Sequence, residues 1–319
     1  MGYCVLETTN FQFPTQKSVY HGKVRDVYDM GEFLLFIATD RYSAFDRSLA
    51  LVPHKGELLT AISRWWFEQT SQIIKNHVID YPDQQVTRGR KYRVLPIEMI
   101  VRGYITGVTN TSLWHIYQEG RRDFGEFRLP DGLHKNDKLP QPVLTPTTKF
   151  ETHDRPLTPK EAIAEGLIEA STWQRLQDVA LELFSFGQKV ARSKGLILVD
   201  TKYEFGVDEK GELILIDELH TPDSSRYWRA DTYERQIKAG EEPDNYDKEF
   251  LRLWFKSRFD PYDETDKAVP KPPKSIINEL TKRYVYVYER LSGERFQPST
   301  QPALARIEKN IKKSLGFAQ

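Results

Sequence analysis

A single cysteine, Cys4, stands among the 319 residues. That excludes an internal disulfide framework and a thiolate zinc centre, and it fits a reducing, cytoplasmic setting. Long apolar runs are also missing. None approaches the roughly 18 residues of a membrane span, and Met1 to Gln12 lacks the apolar core of a signal peptide. There is no charge of one sign to spare: 46 Lys and Arg face 46 Asp and Glu. The chain therefore has no global field for a nucleic acid or an anionic membrane, and any anion must be held locally. The seven histidines show no pair at metal-ligand spacing, the full Walker spacing of glycines is absent, and no serine nucleophile elbow appears. No internal repeat is present. What remains is an ordered chain long enough for two domains, with a boundary expected near residue 119, giving 1–119 and 120–319.

The first third reads as strands and turns, Val24 to Asp29 and Phe33 to Ala38, followed by a helical stretch from Leu58 to Ser71. Arg88 to Arg93 is a short basic run, read as a solvated turn before the apolar strand Val94 to Val101. From Gly120 to Pro159 the composition shifts to Pro, Asp, Lys and Thr, a long loop region. Thr158 or Thr172 then caps a helical pattern that stops at Lys194-Gly195. Helices are expected at 248–259 and 276–293, and a last basic helix near 302–315 reads as a surface appendage.

The most informative segment is residues 196–228. Leu196 to Val199 and Leu213 to Ile216 are apolar runs of strand length, and Asp208-Glu209-Lys210-Gly211 has the composition of a hairpin loop. Alternation sends Asp200, Lys202 and Glu204 to one face and Thr201, Tyr203 and Phe205 to the other. If Val207 pairs with Glu212, Lys202 falls opposite Asp217 and Glu204 lies diagonal to it at roughly 7 Å. An exposed hairpin carrying weak ion pairs would explain four such charges equally well. The flanks are too apolar for an outer strand, so a site for a divalent cation and a phosphate is the better reading. With hard oxygen ligands the cation is magnesium, which sits with one or two carboxylates plus phosphates.

Other stretches add anion chemistry. Lys23 and Arg25 follow Gly22 at a strand start, a polyphosphate cradle that is weak alone. Ala38 to Asp46 and Pro53-His54-Lys55-Gly56 are rich in donors for phosphate or ribose, though each alone could be a turn. Arg102, followed by Ser112, and the loop Thr221 to Arg226 with Asp223 offer guanidinium and hydroxyl groups for a second, monoester phosphate. His153-Asp154 is placed in the long loop to supply a base or a substrate contact.

Seven ordered blocks then carry a resemblance: GKVRDVY at 22–28, ATDRYSAFD at 38–46, HKGELLT at 54–60, PIEMIVRGYITG at 96–107, TPTTK at 145–149, VDTKYEFG at 199–206 and IDELHTPDSSRYW at 216–228. Together they resemble the SAICAR synthetases of purine biosynthesis. The resemblance implies a two-lobed α+β fold with antiparallel sheets and ATP between the lobes. It implies ATP-dependent joining of L-aspartate to the carboxylate of the imidazole ribonucleotide CAIR through an acyl phosphate. By position, Lys23 and Arg25 are similar to the family's phosphate-contacting pair, and Glu204 and Asp217 to its magnesium ligands. Asp200, Lys202, Arg102, Ser112 and Arg226 match positions that hold the ribonucleotide, and Asp154 matches an acidic loop position beside it. The strand around Ile97 to Met99 would hold adenine by backbone groups, and a homo-oligomer is left open.

Two rivals make different demands. A kinase-like phosphotransferase would release ADP with a hydroxyl acceptor and without aspartate, but the HRD and APE blocks are missing. A non-catalytic nucleotide or RNA-binding module would bind without turnover, and the neutral charge balance opposes its RNA form.

Overall fold

The computed structural model describes residues 5–150, 155–262 and 269–317. They form two compact units that no single cut separates: 1–65, 77–91 and 248–319 make the first, and 66–76 with 92–247 the second. Residue 119 lies inside the second.

The first unit begins with β1 (Ser18–His21), β2 (Arg25–Asp29) and β3 (Phe33–Ala38), then the pair β4 (Arg41–Ala44) and β5 (Arg47–Leu51) and the start of helix α1 (Lys55–Gln69). β6 (Val78–Asp83) and β7 (Val86–Arg90) complete an antiparallel sheet of order β1-β2-β3-β7-β6. The basic run is thus mostly strand, with Lys91 and Tyr92 between β7 and the next strand: Arg88 pairs with Leu35 in the ladder and its Nε donates to Asp80 at 2.8 Å. Polar groups that looked ready for phosphate serve the fold here. The Asp40 carboxylate accepts from the Leu6 and Gly56 amides at 2.8 and 3.0 Å. Arg41 donates to the Gly22 carbonyl and to Asp26, both at 2.8 Å, and so pins the turn that carries Lys23. Gly56 is obligatory, because a Cβ there would sit 2.3 Å from the Ala38 carbonyl oxygen.

The second unit is built on β8 (Arg93–Tyr104), followed by α2 (Leu113–Gln118), β9 (Lys138–Leu144), β10 (Thr147–Thr148), α3 (Pro159–Ala164) and α4 (Ala170–Ser193). Next come β11 (Leu196–Val207), β12 (Leu213–Ile216), β13 (Ser225–Arg229) and α5 (Ala230–Lys238). The sheet runs β10-β8-β11-β12, with β9 also on β8 and β13 also on β11. The stretch expected to be a long loop therefore contributes two edge strands. Thr158 caps α3 in a full capping box with Glu161, while Thr172 lies inside α4. Gly103, next to Arg102 in β8 and so on the opposite face, lies against Phe184 and Gln188 of α4. That helix covers the back of the sheet and leaves the face bearing Arg102 for chemistry.

Helices α6 (Glu249–Lys256), α7 (Lys274–Ser292) and α8 (Ala303–Leu315) return to the first unit. The last helix is not an appendage. Ala303, Ile307 and Ile311 are buried in one cluster with Leu6, Phe11, Tyr28, Leu35 and Ile37, so an apolar stripe underlies its basic surface. Beside them the buried Arg306 donates to Glu57 at 2.8 Å, to Asp83 at 3.1 Å and to Gln85 at 2.7 Å.

Arg306→Met would leave two buried carboxylates without their cation, a loss of about 3–5 kcal/mol in stability. Burial pushes the Glu57 carboxyl up, but hydrogen bonds from His54 and Arg306 outweigh it and hold it below the ordinary range. Its contribution is complete above the unfolded carboxylate pKa of about 4.3 and fades as pH falls through the lower folded value. Urea denaturation at pH 7 and in acid should therefore show a gap between wild type and Arg306→Met that narrows below about pH 4.

Candidate active site

β11 is buried at every position except Lys202, which is half-buried, and that makes its charged residues expensive to keep. The neighbouring strands explain how they are kept. Register places Glu204 opposite Glu98 of β8, and Asp200 opposite both Arg102 of β8 and Arg226 of β13. Directly opposed carboxylates repel. Two lysines compensate: Lys202 Nζ lies 2.7 Å from both Glu98 and Glu204, and Lys149 Nζ lies 2.6 Å from Glu204 and 3.5 Å from Glu98.

Burial raises the pKa of both carboxyls. For Glu204 the charges of Lys202 and Lys149 win, and it is held well below the carboxylate range. For Glu98 burial and the repulsion of Glu204 win, and its pKa stays raised. The pair is thereby split between a firmly ionised group and one that holds a proton more readily. Burial pulls Lys202 down, but Glu204, Glu98 and Asp217 more than reverse it, so the amine is firmly protonated.

Asp217 reaches this cluster by a route other than the expected one. Val207 pairs with Leu213, and Glu204 with Ile216, one residue out of the expected register. The cause is the loop, which holds five residues because Asp208 closes it: its amide donates to the Glu212 carbonyl at 3.0 Å and its carboxylate accepts from Lys210 and Glu212. A one-residue slip would send Asp217 to the wrong face. The strand ends at Ile216, however, and Asp217 is left-handed with φ 71°. That break in the pleat leaves its charge where Lys202 feels it.

Two strand positions away on the same face is a cationic pair. Arg226 Nη1 lies 2.6 Å from Asp200, Arg102 Nη1 lies 3.8 Å from it, and Arg102 Nε donates to Thr145 at 2.8 Å. Burial pushes Arg102 down to about 10, so it stays charged at neutral pH. Gly107 (φ 107°) is closely packed: a Cβ there would meet the Ser112 Cβ at 2.5 Å and Arg226 Nη2 at 3.3 Å. Ser112, Arg226, Asp200 and Arg102 are therefore one cluster. A cavity of about 290 Å³ opens beside it, lined by Glu98, Ile100, Arg102, Thr145, Phe124 and Phe127 among others. Asp223 is buried in the loop before β13, its amide donating to Thr221 Oγ1 at 3.2 Å.

The expected site residues do not all join this constellation. Lys23 and Arg25 belong to the first unit, where Lys23 is ion-paired with Asp46. Ile97 and Met99 are buried within the sheet, Ile97 paired with Thr148 and Met99 with Tyr203. Their backbone lies in the ladder that supports the site strand. Asp154 and His153 lie outside the described residues. Sequence reasoning missed Glu98 and Lys149. The signal for Glu98 was available, as the one charge in the apolar strand Leu95 to Val101.

The pattern of the SAICAR synthetase family matches residues 18–269. The chain belongs to the SAICAR synthetase family. It is 49% identical over 318 residues to a phosphoribosylaminoimidazole-succinocarboxamide synthase of Legionella pneumophila, covering 99% of this chain and 100% of that protein. A chloroplastic Arabidopsis thaliana synthase is 48% identical over 98% of this chain and 76% of its own length. Among solved structures, SAICAR synthase from Saccharomyces cerevisiae, complexed with SAICAR, superposes with a TM-score of 0.78 at 33% identity, over 92% of this chain and all of that one. A SAICAR synthetase in complex with ADP gives 0.66 at 25% identity, over 88% of this chain and all of that one.

Among the described residues, no three His, Cys, Asp or Glu side chains are arranged to hold a metal by themselves. A cation here must bring other oxygens with it. Magnesium suits such a place, since its site needs only one or two carboxylates when phosphates supply the other oxygens. Glu98→Gln should test the pair, because it keeps the shape and removes the charge facing Glu204. The expected result is a loss of turnover of about tenfold or more at an unchanged melting temperature, read by ADP release and calorimetry.

Proposed function

We propose that this chain performs the family's ligation: ATP, CAIR and L-aspartate become SAICAR, ADP and phosphate. The observation that carries the reading is the shared sheet face, on which an arginine pair stands two residues from a carboxylate and ammonium cluster. The first suits a phosphate monoester and the second the transfer of a phosphoryl group.

A carboxylate resists attack by an amine because its charge and resonance suppress electrophilicity. In the proposed sequence a CAIR carboxylate oxygen attacks the γ-phosphorus of ATP, the bond to the β-phosphate oxygen breaks, and ADP leaves. The aspartate ammonium gives one proton to solvent, its freed amine attacks the acyl carbon, and phosphate leaves with the bonding pair while the second proton shed by the nitrogen passes to the departing phosphate. Arg102, Arg226 and Ser112 hold the ribonucleotide phosphate, with Asp200 orienting the two guanidinium groups and Asp223 contacting the sugar end. Lys202 and Lys149 oppose charge built on the transferring oxygens. Lys23 and Arg25 contact the nucleotide phosphates. Magnesium, held by Glu204 and Asp217, would neutralise phosphate oxygen charge. The rest of the rate enhancement is positioning. Asp154 is proposed as an acidic contact to the same substrate, and the protein as cytoplasmic; among the described residues no helix is long and apolar enough to cross a membrane.

ADP release should require CAIR and L-aspartate together, and full turnover with either one omitted would overturn the assignment. Asp217→Asn, which keeps a residue tolerant of the left-handed backbone, should abolish turnover while the protein stays folded by circular dichroism. Near-normal activity of that variant at ordinary magnesium would exclude Asp217 as a ligand.

A further inference from the structure

His220 is completely buried, with its Nε2 at 2.5 Å from the Tyr203 hydroxyl and its Nδ1 without a hydrogen-bond partner among the described residues. Its backbone is left-handed as well, with φ 48°. An orphaned buried nitrogen and a left-handed non-glycine residue each cost stability, and a phenylalanine would fill the same space without the first cost. Nothing in the proposed reaction uses the imidazole directly. Burial holds it neutral, pushing it down to about 3.

The surroundings show what this residue controls. The Trp66 ring packs edge-on at 4.7 Å between centroids, and the Tyr227 hydroxyl donates to the His220 carbonyl at 2.6 Å. Gly187, in the middle of α4, makes room for the ring, since a Cβ there would meet Cε1 at 2.5 Å. From His220 onward the loop is a chain of local bonds. Thr221 Oγ1 accepts from the Asp223 and Ser224 amides at 3.2 and 3.3 Å, and the Lys202 amide donates to the Ser224 carbonyl at 3.2 Å. Asp217 and His220, both left-handed, bracket the exit of the chain from β12. Tyr203 lies between Lys202 and Glu204 in β11 and points to the other face. Its bond to His220 therefore ties the back of the site strand to the loop bearing Asp217, Asp223 and Arg226.

We propose that His220 is a positioning residue for the ligation, its hydrogen bond with Tyr203 fixing the path of the 217–225 loop and hence the direction of Asp217 and Asp223. The inference rests on the reading of Asp217 as a ligand of nucleotide-bound magnesium. His220→Phe, Tyr203→Phe, the double variant and His220→Gln test it, by calorimetric binding of ADP with and without magnesium and by steady-state kinetics. Each single Phe variant should weaken magnesium-dependent ADP binding about tenfold and lower kcat, with metal-free ADP binding unchanged. The double variant should lose no more than either single one, because both delete the same bond. His220→Gln, whose amide can still reach the hydroxyl, should recover most of the loss. Wild-type magnesium-dependent binding and kcat in folded Phe variants would overturn the proposal, as would additive losses in the double variant. If His220→Phe does not fold, Tyr203→Phe, lacking one oxygen, decides the matter. Wild-type protein whose ADP binding ignores magnesium would refute the metal role of Asp217 instead. The kcat of Tyr203→Phe and of His220→Gln would then judge the positioning role alone.

Discussion

Two glutamates face each other across adjoining strands inside a sheet, and the second unit is organised around making that tolerable. Glu98 and Glu204 are each mostly buried and directly opposed, and the ammonium groups of Lys202 and Lys149 between them offset the repulsion. Such an arrangement is costly as a stabilising device, since apolar residues of similar volume would serve a sheet at least as well. Its value lies in charge held in fixed positions. In the proposed reaction a phosphoryl group would meet fixed cations there and a metal ion fixed anions, with no reorganisation at the moment of reaction.

The same economy governs the neighbouring arginines. Asp200 stands between Arg102 and Arg226 because β11 is flanked by β8 on one side and β13 on the other, so a single carboxylate orients two guanidinium groups. Both clusters depend on β11 being central. The face behind them is sealed by α4, while the pinned loop after β12 closes the end. Site and scaffold are thus the same object, and few substitutions in this strand can act on one alone.

Much of this was legible in the chain. Alternation in β11 correctly assigned Asp200, Lys202 and Glu204 to one face, because strand periodicity is a local property. The seven family blocks identified the reaction class. What escaped was decided by tertiary detail. Asp208 closing a five-residue loop shifted the hairpin register, and a left-handed Asp217 then undid the consequence of that shift. No composition rule contains either. Glu98 was visible as a lone charge in an apolar strand but had no meaning until its partner strand was known. Helix α8 was misread because its lysines dominate the composition, while Ile307 and Ile311 carry the packing.

That last helix has a bearing on how the molecule is made. The sheet of β1 to β3 shares its apolar cluster with residues 303–311, so the first unit joins segments from opposite ends of the chain. Residues 92–247 of the second unit follow one another without interruption. On a ribosome the second unit can close while synthesis continues, whereas the first must wait until residues 303–311 have been made. Until then Leu35, Ile37 and Tyr28 are without the helix that packs against them, and the nascent chain carries an uncovered apolar sheet face.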